Sequence, residues 1–263
     1  MPGPDRDWEG VRLHVVTGKG GTGKTTVAAA LALGLAREGQ RVLLTEVEGR
    51  QGIAQLFDVP PLPYGERKVA VGHGGGEVFG LAVDPKDALL EYLHLFYKLG
   101  RAGSLLERFG AVDFATTIAP GIRDVLLTGK VYEAVRRRVG ARSGGRGATS
   151  DQPVYDAVVL DAPPTGRIAR FLDVNAEVIG LARVGPIRNQ AESITRLLRS
   201  PQTAVHIVTL LEEMPVQETL DALGELAVHH LPLGGVVVNA VREPVLRARE
   251  LAAAVAGRLD RSD

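Results

Sequence analysis

The segment Val15–Thr26, VVTGKGGTGKTT, constrains this chain more than any other stretch. It continues an apolar, β-branched run, Val11–Thr17, that reads as a buried strand. It leads into a helix expected from about Lys24 to Arg37, with Val27, Leu31 and Leu35 on one side. Between strand and helix, Gly18, Lys19-Gly20-Gly21-Thr22 and Gly23-Lys24-Thr25 spell G-x-x-x-x-G-K-[ST], a phosphate-binding loop. Glycines there let backbone N–H groups crowd round phosphate oxygens, and the helix N-terminus adds a favourable dipole. Lys24 is expected to reach the β- and γ-phosphates of a nucleotide, Thr25 to ligate Mg2+ through its hydroxyl, and Thr26 to sit near the α-phosphate. The pattern needs only one lysine, so Lys19 is left over.

Further strands are expected at Arg41–Glu46, at Val78–Val83, in a run ending at Asp161, and at Ala204–Leu211 and Gly234–Val241, with helices between them. This alternation predicts an α/β fold of the P-loop NTPase type: a mostly parallel twisted sheet, helices on both faces, and a helical insertion. The whole chain, 1–263, reads as one domain. The Pro- and Gly-rich stretch 58–76 reads as a loop region, 85–139 as a helical subdomain, and 140–153 as a mobile linker.

Composition narrows the function classes. The formal net charge is zero, which gives no support to a broad nucleic-acid footprint. There is no cysteine, which removes disulfides, thiolate metal sites and thiol catalysis. The start, MPGPDRDWEG, has no apolar signal core, and no apolar run reaches the roughly 18 residues of a membrane span, so a cytoplasmic location is expected.

Three carboxylates complete the candidate site. Asp161 ends an apolar strand, where open α/β sheets place their sites, and it is the candidate water-mediated anchor for Mg2+. Glu46 and Glu48 are two residues apart at the end of the second strand, so on extended backbone they share a face. Either could orient an attacking water, or both could be exposed surface acids.

Taken together these segments resemble the deviant-Walker ATPases, whose loop reads KGGxGKTT, as Lys19–Thr26 does. LDAPPTGRIARFL (Leu160–Leu172), VDPKDALLEY (Val83–Tyr92) and VVVNAV narrow the likeness to the branch of the arsenite-pump ATPase and the ATPase that guides tail-anchored membrane proteins; GIAQLFDVPPLPYGERKVAVG, GAVDFATTIAPGIRDVLLTGKVYE and DAPPTGRIARFLDV resemble most a shorter actinobacterial, anion-transporting subtype. The resemblance covers nearly the whole chain. It implies ATP and Mg2+ as cofactors, and Asn239 as the residue that reads the adenine. It also implies a use for Lys19: reaching across a dimer to phosphates held by the partner subunit, as an arginine finger does. Glu46 and Glu48 stand where the family carries aspartates, and Arg167 where it usually has histidine. Without cysteine, neither arsenite nor a dimer-clamping zinc is expected.

Three functions compete on this reading. One is a dimeric ATP-hydrolysing switch, homodimeric or paired with a paralogue, that couples nucleotide state to a hydrophobic client or membrane-protein partner. The second is a nucleotide-binding subunit that hydrolyses poorly beside an active paralogue. The third is a partitioning ATPase on DNA or membrane, against which the neutral charge counts; no nucleic acid is expected. Leu89, Leu90, Leu93, Phe96 and Tyr97 form an apolar helical stripe that either packs on its neighbours or offers a client groove.

Overall fold

The computed structural model describes residues 8–97, 120–140, 152–172, 186–243 and 247–258. The elements run β1 (Leu13–Gly18), α1 (Lys24–Leu35), β2 (Arg41–Glu46), α2 (Gly52–Leu56), β3 (Arg67–Val71), β4 (Glu77–Ala82), α3 (Pro85–Tyr97), α4 (Pro120–Arg136), β5 (Ala157–Asp161), α5 (Thr165–Leu172), α6 (Pro186–Leu198), β6 (Thr203–Thr209), α7 (Glu213–Val228), β7 (Leu233–Val238) and α8 (Ala248–Val255). The strands form one sheet in the order β3-β4-β2-β5-β1-β6-β7, parallel except for β3, which runs antiparallel to β4.

Why the central strands are continuous apolar runs follows from this architecture. A parallel sheet carries helices on both faces, so both sides of each strand are buried. Leu13, Val15, Leu43, Val158, Leu160 and Ile207 face one core, filled by Val125 of α4, Ile168 of α5, Ile194 of α6 and Ala222 of α7. Their alternates Val16, Val42, Leu44, Val159 and Val208 face the other, filled by α1 and α2.

Two expectations need correction. Helix α1 stops at Leu35, and it meets the sheet through Ala28, Ala29 and Ala32 rather than through Val27, Leu31 and Leu35, which are only partly buried. Small side chains let the helix axis lie close against β1, β2 and β5. The second correction is β3, which lies inside the stretch expected to be loop. It is held as an edge strand by its ladder to β4, by the Lys68–Glu77 ion pair at 2.7 Å, and by Glu66 just before it. Glu66 accepts hydrogen bonds from Arg137 and from the Tyr155 hydroxyl, the latter at 2.6 Å.

The helical block is present at both described ends, where α3 packs on α4, and Lys130 of α4 reaches Glu91 of α3 at 2.9 Å. Leu89 is buried at the base of the apolar stripe. The side chains of Leu93, Phe96 and Tyr97, the middle of the block and most of 140–153 lie outside the described residues. No helix among the described residues is long and apolar enough to cross a membrane.

At the amino-terminal side of β1 and β6, His14 and His206 stack in the buried interior. Nδ1 of His14 lies 3.0 Å from Nε2 of His206, and the Trp8 indole covers both rings edge-on. Burial pushes His14 down to about 3, helped by His206, and pushes His206 down to about 4. One nitrogen of the pair donates and the other accepts, so both rings are neutral. Their folded values lie below the ordinary 6.5, so the contribution to stability is complete above pH 6.5 and is lost as the pH falls through the folded values. We expect a loss of about 3 kcal/mol between about pH 6.5 and 5. Chemical unfolding across that range should show it, and a His14→Gln, His206→Gln double variant should flatten the dependence.

Candidate functional site

The site is built where the sheet changes its order of connection. β1 lies between β5 and β6, and β2 lies on the far side of β5, so the carboxyl ends of β1, β5 and β2 converge. Asp161 is in register with Val16 on one side and Glu46 on the other. Ligands in open α/β sheets bind at such a point.

The loop after β1 is shaped by close approaches that only glycine permits. A Cβ on Gly18 would lie 2.2 Å from the Val208 carbonyl oxygen. Gly23, with φ 88°, caps α1 in the left-handed region, and a Cβ there would meet the Asn239 amide nitrogen at 2.4 Å. The loop is braced from within by the Thr22 hydroxyl, which donates to the Lys19 carbonyl at 2.9 Å. It is braced from outside by Asn239, whose Nδ2 donates to the Thr22 carbonyl at 2.8 Å. Asn239, for which an adenine contact is implied by resemblance, thus sits just past β7 and against the loop.

A cavity of about 300 Å3 opens in front of the loop, and Lys24, Thr25, Thr26, Glu46, Glu48, Arg50 and Asp161 line it together with Gly21, Gly23 and Gly52. Lys24 has no hydrogen-bond or ion-pair partner among the described residues. The Thr25 hydroxyl donates to Asp161 Oδ2 at 2.6 Å. Asp161 Oδ1 is buried and has no hydrogen-bond partner among the described residues. Burial raises the Asp161 carboxyl to about 6; the Thr25 hydrogen bond and the Lys24 charge pull it down, and Glu46 and Glu48 push it further up.

This donor set fits a hard divalent cation. A hydroxyl and an unsatisfied carboxylate oxygen lie side by side in a cavity with room for phosphate oxygens and water, which Mg2+ needs to fill its shell. Among the described residues no group of three His, Cys, Asp or Glu side chains could hold a metal by itself. A cation here would have to share its ligands with a bound phosphate.

The two glutamates separate. Glu46 is buried at 4%, and both its oxygens accept backbone hydrogen bonds, from Gln51 N at 2.7 Å and from Ile53 N at 3.0 Å. It caps the short helix α2, whose first N–H groups would otherwise be unpaired. Glu48 lies in the bend beyond β2, lines the cavity as Glu46 does, and among the described residues is paired with Arg50 alone, at 3.8 Å.

Lys19 does not line the cavity. Its ammonium pairs with Glu218 of α7 at 2.7 Å, and the other Glu218 oxygen accepts from the Thr165 hydroxyl, at the start of α5, at 3.1 Å. The Lys19 hydrogen bond holds the Glu218 carboxyl below the usual range, with Thr165 and the Lys19 charge adding to it. Neither Glu218 nor Thr165 was legible as a partner of this loop: 199 residues separate Lys19 from Glu218, and no local pattern marks the contact.

Comparisons with known proteins show the family. The family model described as anion-transporting ATPase matches residues 11–201. The chain is 60% identical over 251 residues to ATPase BagA of Mycobacterium tuberculosis, covering 95% of this chain and 71% of that protein. It is 28% identical over 252 residues to Protein Rv2184c of the same organism, covering 87% of this chain and 58% of that one. It is 26% identical over 258 residues to an arsenical pump-driving ATPase of Escherichia coli, covering 91% of this chain but only 41% of the pump ATPase. With the match running unbroken from the first strand to the end of α6, the chain belongs to the anion-transporting ATPase family.

Proposed function

We propose that this protein is a Mg2+-dependent ATPase that works as a dimeric switch, each subunit lending Lys19 to the triphosphate held by the other. The observation that carries the proposal is the convergence of Lys24, Thr25, Glu48 and Asp161 on one cavity, with a buried Asp161 oxygen left unpaired. Loop N–H groups and Lys24 bind the β- and γ-phosphates. Thr25 and Asp161 would hold Mg2+, which would supply charge neutralisation at the phosphates. Glu48 accepts a hydrogen bond from the attacking water and aligns it on the γ-phosphorus; as the water oxygen bonds to phosphorus, the bond to the bridging oxygen breaks, ADP leaves with that electron pair, and the water's proton passes to the released phosphate. Glu46 lines the same cavity, but both its oxygens are engaged by backbone N–H groups at α2, so on this reading it holds that helix in place and leaves the water to Glu48.

Lys19 serves in trans on this reading. In the single subunit it is held away from the cavity by Glu218, through an ion pair with both side chains about one-third exposed. Such a pair is worth about 0–1 kcal/mol, so docking a second subunit can break it. Thr165 shares Glu218, so release of Lys19 also frees the first turn of α5. Nucleotide state would reach a protein or membrane-protein partner through α4 of the helical insertion, which packs on α5.

The engagement of Glu46 favours one alternative enough to be tested beside this reading: a subunit that binds ATP but hydrolyses it only with a paralogue. The experiment is ATP turnover by the purified chain beside Glu48→Gln and Glu46→Gln. We expect Glu48→Gln to lose about 10²-fold or more in turnover with ATP still bound. Glu46→Gln should lose stability, by about 1–2 kcal/mol, more than turnover. A wild-type chain that binds ATP and turns none over until a paralogous subunit is added supports the alternative. A chain that binds no ATP overturns both.

A further inference from the structure

A second cavity, of about 120 Å3, lies beside the first and shares Glu48 and Arg50 with it. Its walls bring together three guanidinium groups from three separate elements: Arg50 beyond β2, Arg123 of α4 and Arg167 of α5. Arg123 and Arg167 make no side-chain hydrogen bond or ion pair among the described residues. Two carboxylates, Glu48 and Asp124, share the wall, so the lining carries one positive charge in excess. Glu48 is matched by Arg50, at 3.8 Å. At about 30 Å3 of liquid per water, the space holds roughly four waters, enough for a tetrahedral oxyanion and part of its shell. Planar guanidinium forks suit such an anion better than ammonium groups do.

We propose that Arg50, Arg123 and Arg167 form a second anion site, for a free tetrahedral oxyanion, that receives the inorganic phosphate released from the first cavity. The identity of the anion as product rests on the ATPase reading above; the existence of the site does not. Arg123 and Arg167 sit on different helices, so one anion between them ties α4, and with it the helical insertion, to α5 at the end of the Asp161 strand.

The test is titration of inorganic phosphate into the nucleotide-free chain, followed by calorimetry. Wild-type chain and Lys24→Ala should bind phosphate alike. The Arg123→Gln, Arg167→Gln double variant should bind it at least about tenfold more weakly. Both arginines are exposed, so the double variant should keep the wild-type melting temperature; if it does not, the Arg123→Lys, Arg167→Lys variant takes its place, keeping charge and losing the fork. Loss of phosphate binding in Lys24→Ala with retention in the arginine variants overturns the proposal, because the anion then sits in the loop. Equal binding in all variants, or none in wild type at millimolar phosphate, overturns it too. A parallel ATP titration keeps the two readings apart: a chain that binds phosphate through the arginines but no ATP retains this site and loses the ATPase. In the other direction, added phosphate should inhibit wild-type turnover and spare the arginine variant; equal inhibition of both would place the inhibitory phosphate outside the arginines and overturn their assignment as the product site.

Discussion

Lys19→Ala is expected to keep ATP bound and to stop its turnover. If Lys19 served the triphosphate of its own subunit, its side chain would reach the cavity wall beside Lys24. Instead it is absent from the cavity lining and pairs with Glu218 of α7. A charged group that contacts the transferred phosphoryl only after a second subunit docks adds to the transition state and little to ground-state binding. Groups of this kind contribute about 10³-fold or more to turnover. Lys24→Ala should behave differently, losing ATP affinity as well as turnover, because Lys24 stands on the cavity wall in the isolated subunit. Turnover measured at saturating ATP, with affinity measured separately, distinguishes the two. Lys19→Ala chain that hydrolyses ATP at the wild-type rate would remove the trans role.

Asp161→Asn should make the ligand-free chain more stable and the enzyme inactive. The Asp161 carboxyl is raised by burial from 3.8 to about 6. A carboxyl raised in the folded state favours folding while protonated; that advantage is complete below pH 3.8 and is lost as the pH rises through about 6. Near pH 7.5 the folded chain therefore carries a buried charge with one unpaired oxygen, a cost of up to about 3 kcal/mol. Asparagine keeps an acceptor for Thr25 and removes the charge, so we expect a gain of about 1–2 kcal/mol by denaturant titration near pH 7.5. The gain should vanish near pH 4, where wild-type Asp161 is already protonated. The same change removes the anionic ligand from the Mg2+ pair and should reduce turnover by about 10²-fold or more. Saturating Mg2+ and ATP should stabilise wild type far more than the variant. A variant less stable than wild type at both pH values would contradict this account of the site.

How much of this was legible in the sequence depended on the range of the interaction. The loop and the ends of β1, β2 and β5 were legible because each is written in consecutive residues: a β-branched apolar run that stops at a glycine or a carboxylate. The face of α1 that meets the sheet was not legible because alanine at 28, 29 and 32 carries little periodic signal, whereas the larger Val27, Leu31 and Leu35 dominate any pattern although they are only partly buried. β3 was hidden because its partners come from elsewhere: β4 supplies the ladder, and Arg137 and Tyr155 hold Glu66. The role of Glu46 turned on α2, a helix of five residues too short for a periodic signal, which takes both oxygens of that side chain. Lys19 with Glu218 and His14 with His206 are contacts made by the fold alone, and so is the placing of Arg123 and Arg167 on one cavity wall.

The most direct measurement mixes two inactive variants. Lys24→Ala chains cannot hold ATP but still carry Lys19; Lys19→Ala chains hold ATP but cannot lend the lysine. In a mixed dimer one site has both an intact loop and a partner with Lys19. Equal amounts should recover up to roughly a quarter of wild-type turnover, since about half the dimers are mixed and one of their two sites is complete. A mixture as inactive as its two components, under conditions where wild-type chain turns ATP over, would contradict a site shared between subunits.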